Sequence, residues 1–237
     1  MFVGHALLAF ALAVLIARWR GWSRHQAITV GIVTGAFAAL PDVDVLYAVV
    51  AINPTEFVAA TGVQPGAFWG PANEVHRLLT HSLVVAALAG PAFGLWAYRS
   101  ASGWRRGGAV LAAVLLAGLV AAAAVASGPV GGAVVAAFAL VGLVITELSR
   151  AKSDLSPAVL GLAATAGIAS HPWGDLLTGE PPALFYPFEL SVLSERLVLH
   201  SDPTLHLLGA FALELGVVAL GVAVLARQAG YSPHRLV

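Results

Sequence analysis

The sequence predicts an all-α, polytopic membrane protein: one membrane-embedded domain over 1–237, built as a bundle of about seven transmembrane helices. Three observations carry this. Hydrophobic residues make up 59% of the chain and charged residues only 10%, against about 25% charged in soluble domains. Mean hydropathy is +0.88. From Gly107 to Thr146, 40 consecutive residues contain no Asp, Glu, Lys, Arg or His. So few charges could not cover a water-soluble globule, and the same excess of apolar side chains excludes disorder. The absence of cysteine rules out disulfides, thiolate metal sites and Cys nucleophiles. Zero formal net charge points to no nucleic-acid partner.

A spanning helix needs about 20 apolar residues, with about 17 near the lower limit. Seven segments approach this: about 2–17, 25–40, 81–98, 109–127, 130–147, 155–170 and 205–226. The first is followed, not preceded, by its charges Arg18, Arg20 and Arg24, and no A-x-A-like site follows. It therefore reads as an uncleaved first helix rather than a signal peptide. Between the fourth and fifth, Ser127-Gly128-Pro129 is a breaker long enough only for a tight helical hairpin. Gly90 with Gly94, and Gly128 with Gly132, have the small-xxx-small spacing that lets helices approach closely. The connections 52–80 and 171–204 are long and rich in proline and aromatic residues. Ordered loops of that length in a compact protein are usually functional.

Charge sets the expected orientation. With the N-terminus outside, the cytoplasmic segments hold Arg18, Arg20, Arg24, Arg99, Arg105, Arg106, Arg150, Lys152, Arg227 and Arg235. These are ten of the twelve basic residues, and only Arg77 and Arg196 fall on the other face. Cytoplasmic loops are enriched in Lys and Arg, so the expectation is N-out, C-in. All six tryptophans, Trp19, Trp22, Trp69, Trp96, Trp104 and Trp173, lie near expected boundaries, as an interfacial belt requires.

The rare polar groups fall on one face of that topology. His5 opens helix one, and Pro41-Asp42-Val43-Asp44 closes helix two. His76-Arg77-Leu78-Leu79-Thr80-His81-Ser82 opens helix three, and His171-Pro172-Trp173-Gly174-Asp175 closes helix six. A lone interfacial His is commonly a packed or capping residue, and Pro-Asp after a helix is commonly a turn. Their recruitment to one face of so apolar a chain is what points to a shared site, because intramembrane ionisable groups are functional candidates by default. His and carboxylate donors without thiolate suit a divalent ion, Zn first and Mn, Fe or Co also, as one ion or two. His171 and Asp175, four apart, share one helical face if Pro172 occupies the first turn of a new helix. Asp42 and Asp44 point about 200° apart on a helix, so one would be a ligand and the other would orient or cap. Arg77 could hold a phosphate or a developing negative charge. Thr80, Ser82 and Thr178 could add hydrogen bonds, although Ser or Thr at a helix start is usually a cap. His200 and His206 share the face but lack a spacing partner. His25 and His234 fall on the cytoplasmic side, and Glu214 in helix seven reads either as a packing contact or as part of a proton path.

At these motifs the sequence resembles the YdjM-like family of inner-membrane metal-dependent hydrolases. The matching elements are Gly4-His5, Leu40-Pro41-Asp42-Val43-Asp44, His76-Arg77 with Thr80-His81-Ser82, and His171-xxx-Asp175 with Thr178 and Tyr186-Pro187-Phe188. The order and rough spacing match across 4–188. Leu78 stands where the family often has Gly, and the uncharged hairpin looks like an insertion. The resemblance implies metal ligands at His5, Asp42 or Asp44, His76, His81, His171 and Asp175. A fainter likeness, confined to the site, is to the zinc phospholipase C and P1 nuclease group, where Asp175 would be the carboxylate shared between ions.

The function expected from these readings is a metal-dependent hydrolase of the cell (inner) membrane. It would cleave a lipid ester or phosphoester at the extracytoplasmic face, with membrane lipids as surroundings and substrate. Asp42 or Asp44 would complete the metal shell or orient water, and Arg77 would steady an oxygen of the scissile group. The alternative is a metal or proton transporter, or a metal-stabilised scaffold. A transporter normally places its polar groups near the midplane and connects them to both sides, whereas here only Glu147 and Glu214 lie inward.

Overall fold

The computed structural model describes residues 2–45, 47, 58–59, 62–63, 79–98, 103–178, 182–188, 190, 195 and 197–228. Six helices make up nearly all of this: α1 (Phe2–Trp19), α2 (Arg24–Ala38), α3 (Leu83–Ala97), α4 (Gly103–Lys152), α5 (Pro157–Thr178) and α6 (Pro203–Gln228). A 3-10 turn, Pro41–Val45, follows α2. The only extended pairing among the described residues is a two-residue antiparallel ladder, Val58–Ala59 (β1) against Gly62–Val63 (β2).

Local signals explain the boundaries. Gly21 turns the chain between α1 and α2 at φ +79°, a conformation that costs glycine nothing. Ser23 and Gln26 then form a reciprocal capping box that starts α2. Ser82 caps α3 by accepting from the Val84 N–H. In α4 the helical angles fail at Ser127 and Gly128, the latter at φ +69°. The chain bends there, so the expected fourth and fifth helices form one apolar stretch folded into two arms. Gly132 closes the hairpin, because a Cβ at that position would lie 2.9 Å from the Ala124 methyl.

Among the described residues three helical stretches, not seven, are both long and apolar enough to cross a membrane: Arg24–Val45, Gly107–Lys152 and Thr204–Arg227. The difference has physical causes. Two expected spans share the single 46-residue stretch Gly107–Lys152. The apolar parts of α1 and α3, Val3–Trp19 and Leu83–Ala97, are shorter than a full span. The last turns of α5 carry Ser170, His171 and Asp175. The outer surfaces are nonetheless those of a membrane protein. Val110, Val114, Leu140 and Leu215 are each more than 60% exposed, and long apolar helices with large exposed side chains are expected where the surface meets lipid.

Helix α5 lies inside the bundle, against α1, α2 and α3, while α6 packs chiefly on α1. The Gly90/Gly94 spacing is used here: a Cβ on Gly94 would sit 2.9 Å from the Gly161 Cα of α5, so these helices touch backbone to backbone. Phe37, Phe93 and Phe138 fill the middle, with ring centroids 5.3 Å and 6.4 Å apart. At one end Trp96 donates to Glu147 at 2.7 Å, beside the Glu147–Arg150 ion pair at 3.2 Å. The start of α1, the end of α2, the start of α3 and the last turns of α5 gather elsewhere, around a cluster of His and Asp.

Candidate metal centre

Each helix delivers its polar residue by local means. His5 is on the first turn of α1, and Asp42 and Asp44 are on the 3-10 turn after α2. Thr80 and His81 occupy the turn before α3. His171 and Asp175 lie inside α5, which runs unbroken to Thr178 with Pro172 in its interior. The expected end of helix six at 170 and a new helix at Pro172 are therefore corrected. A proline costs a helix one backbone hydrogen bond, which neighbouring helices in a membrane protein can offset. Continuing the helix keeps residues 171 and 175 on one face, as their spacing requires.

Five side chains converge. His5 Nε2 is 3.3 Å from Asp175 Oδ1. His81 Nε2 is 3.2 Å from Asp175 Oδ2 and 3.9 Å from Asp42 Oδ1. His171 Nε2 is 3.4 Å from Asp42 Oδ1 and 3.6 Å from Asp175 Oδ2. His171 stands edge-on to both other rings, with centroids 4.8 Å from His5 and 4.6 Å from His81. His5, His171 and Asp175 form one group able to hold a metal ion, and Asp42, His81 and His171 form another, with donor atoms within 4.8 Å of one another. His81 and His171 are fully buried.

The opposite ring nitrogens all face acceptors. His171 Nδ1 lies 2.6 Å from the Ala38 carbonyl oxygen, which can only accept, so Nδ1 carries the proton. His81 Nδ1 lies 3.0 Å from the Thr80 hydroxyl and 3.4 Å from Asp44 Oδ2. Thr80 itself donates to Asp44 at 2.7 Å. His5 Nδ1 lies 3.2 Å from Glu214 Oε1. Asp42 and Asp44, whose roles the sequence left open, thus diverge. Asp42 faces the Nε2 atoms of His81 and His171, while Asp44, fully buried, sits behind His81.

The YdjM inner membrane protein family model matches residues 1–232. The chain belongs to that family. No curated protein and no solved structure matches. What the YdjM membership shows is an inner membrane protein. The hydrolase activity and the likeness to the zinc phospholipase C and P1 nuclease group gain no support from these comparisons.

The other expected residues are placed as follows. His76 and Arg77 lie outside the described residues, as does His234. Ser82 is the α3 cap and also donates to the Tyr186 carbonyl at 2.7 Å, which pins part of the second long loop to the helix start. Tyr186 reaches Ser127 at the α4 bend, 3.0 Å away. His200 is exposed and accepts from the Asp202 N–H, and His206 is buried and accepts from the Leu199 N–H. Neither belongs to the cluster. Glu214 does, which residue spacing could not reveal: it is 209 positions from His5. The one sequence signal was a lone carboxylate in the middle of an otherwise apolar helix.

Proposed function

We propose that this chain is a membrane-embedded hydrolase that uses one divalent metal ion to cleave an ester or phosphoester of a membrane lipid at the extracytoplasmic face. The observation that carries the metal is the tautomer of His171. Its Nδ1 proton is committed to Ala38, so Nε2 presents a lone pair to the anionic oxygens of Asp42 and Asp175. Nε2 has no hydrogen-bond partner among the described residues, and neither has Asp42 Oδ2. A lone pair facing two carboxylates in a buried space is repulsive unless a cation lies between them. Three neighbouring imidazolium ions would repel one another, whereas one divalent ion among the Nε2 atoms and carboxylates would remove that repulsion.

The donors fit such an ion. Tetrahedral ligands at about 2.0–2.1 Å are separated from one another by about 3.3 Å, and the closest N···O approaches are 3.2, 3.3 and 3.4 Å. The two possible ligand groups share His171, and a single nitrogen lone pair serves a single ion. A four-ligand shell would be His5, His81, His171 and Asp175, each Nε2 lying 3.2–3.6 Å from an Asp175 oxygen, with Asp42 beside His171 at 3.4 Å. All-nitrogen and oxygen donors favour Zn, with Mn, Fe or Co as competitors. An ion of this kind supplies Lewis-acid polarisation of a carbonyl or phosphoryl oxygen and acidifies water. The chain's own contribution is orientation: Asp44 and Thr80 fix His81, and Ala38 fixes His171. Arg77, between two motif residues in sequence, would bind an anionic headgroup oxygen.

The lipid substrate is supported by depth and by charge. Glu214, which touches the cluster, is ~17 Å along α6 from its first residue, so the centre lies well below the start of α6. We read the two arms of α4 and the short helices as separate crossings, giving seven with the N-terminus outside, as the ten basic residues of the alternate loops require. A sunken centre suits a headgroup entering sideways from the bilayer. The test is metal quantification on detergent-purified protein, followed by hydrolysis of vesicle lipids with and without chelator. Near-stoichiometric metal and chelator-sensitive headgroup or acyl release are expected. Metal-free protein would defeat the reading, and undiminished turnover of tail-less soluble esters would defeat the lipid substrate.

A further inference from the structure

We infer that Glu214, on the last helix, is a positioning residue for this centre: its carboxylate holds His5 in the Nδ1–H tautomer and so aims the Nε2 lone pair at the ion. The inference rests on the metal reading above. Glu214 sits in the middle of the apolar span Thr204–Arg227, where a carboxylate facing lipid is costly. It turns inward instead, 4% exposed, on the same buried stripe as His206 and Ala210. Its Oε1 meets His5 Nδ1 at 3.2 Å, on the far side of the ring from Asp175. Room for it is made by Gly4, since a Cβ there would collide with Glu214 Oε2.

The other two histidines show the same arrangement with different acceptors, Ala38 O for His171 and the Asp44–Thr80 pair for His81. Glu214 is the acceptor that makes the third ring equivalent. A carboxylate on the outer nitrogen of a metal-bound histidine fixes ring and tautomer and raises its basicity, and losing it typically costs about 10–100-fold in metal affinity. The last helix, which otherwise packs chiefly on α1, thereby becomes part of the centre.

The experiment measures Co²⁺ affinity and the visible d–d absorption of bound Co²⁺ on the full chain in detergent. Glu214→Leu fits an apolar helix and should still fold, with a lower thermal midpoint because the buried His5 Nδ1–H loses its acceptor. It should weaken Co²⁺ binding by about 10–100-fold and alter the spectrum. Glu214→Gln, whose carbonyl oxygen still accepts from Nδ1–H, should recover most of the affinity. Gly4→Ala leaves Glu214 chemically intact but pushes its carboxylate away, and should weaken binding in the same direction. Parental affinity and spectrum in Glu214→Leu would overturn the inference while leaving the centre standing. Should that variant not fold, the same result in Gly4→Ala overturns it. Failure of the parent chain to bind Co²⁺ or Zn²⁺ would overturn the centre, and this inference with it.

Discussion

Adding one methyl group at Gly174 should damage the centre without changing a single polar atom. Gly174 lies on α5 between His171 and Asp175, against the imidazole of His5. A Cβ built there would lie 3.0 Å from His5 Cγ and nearer still to Nδ1 and Cε1. The ring cannot swing aside without leaving Glu214 at 3.2 Å and Asp175 at 3.3 Å. Nor can α5 retreat, because two turns earlier Gly167 is pressed against α2, where its own Cβ would lie 2.9 Å from Phe37 Cβ. Overpacking of this kind costs about 1–3 kcal/mol, and the gain in helix propensity from Gly to Ala returns at most ~1 kcal/mol. Gly118 on α4 is the control. It has nothing within 4 Å of its would-be Cβ, so Ala there should show only the propensity gain. At roughly 2–4 °C per kcal/mol for a chain of this size, the two variants should separate by roughly 2–12 °C in thermal midpoint. The assay is thermal unfolding in detergent, with metal content measured on the same samples, and Gly174→Ala should also lose metal. If both variants melt together and Gly174→Ala keeps parental metal, the packing of His5 on α5 described above is wrong.

Two further outcomes are expected. Asp175→Asn keeps size but removes the charge that meets His5, His81 and His171, so bound metal should fall well below stoichiometric, while His234→Ala should leave it unchanged; equal metal in parent and both variants would remove these residues from the centre. A topology reporter fused after Arg106 should read cytoplasmic and one inserted near Pro182 extracytoplasmic, and the reverse readings would move the site to the cytosol and undo the lipid argument.

Composition and long apolar runs determined that the chain is helical and membrane-embedded, because the polar backbone of an apolar segment in lipid must satisfy its own hydrogen bonds. Rarity made the site legible as well. In a chain with so few polar residues, His5, Asp42, Asp44, His76, His81, His171 and Asp175 could be picked out as candidates, and His171 with Asp175 could be put on one face from spacing alone. Three things needed the tertiary structure. How many helices are long enough to span depends on where each one ends: the apolar parts of α1 and α3 stop short of a full span, and the Ser127–Gly128 bend divides Gly107–Lys152 into two arms. The different positions of Asp42 and Asp44 depend on the 3-10 turn, which swings one carboxylate toward the Nε2 atoms and the other behind His81 onto Thr80. Glu214 and His5 are nearly a whole chain apart, and only the packing of α6 on α1, across the space left by Gly4, brings them together. Sequence spacing reports neighbours along one helix; which helices share a face is decided by side-chain volume, and here by the glycines that let backbones and buried carboxylates come close.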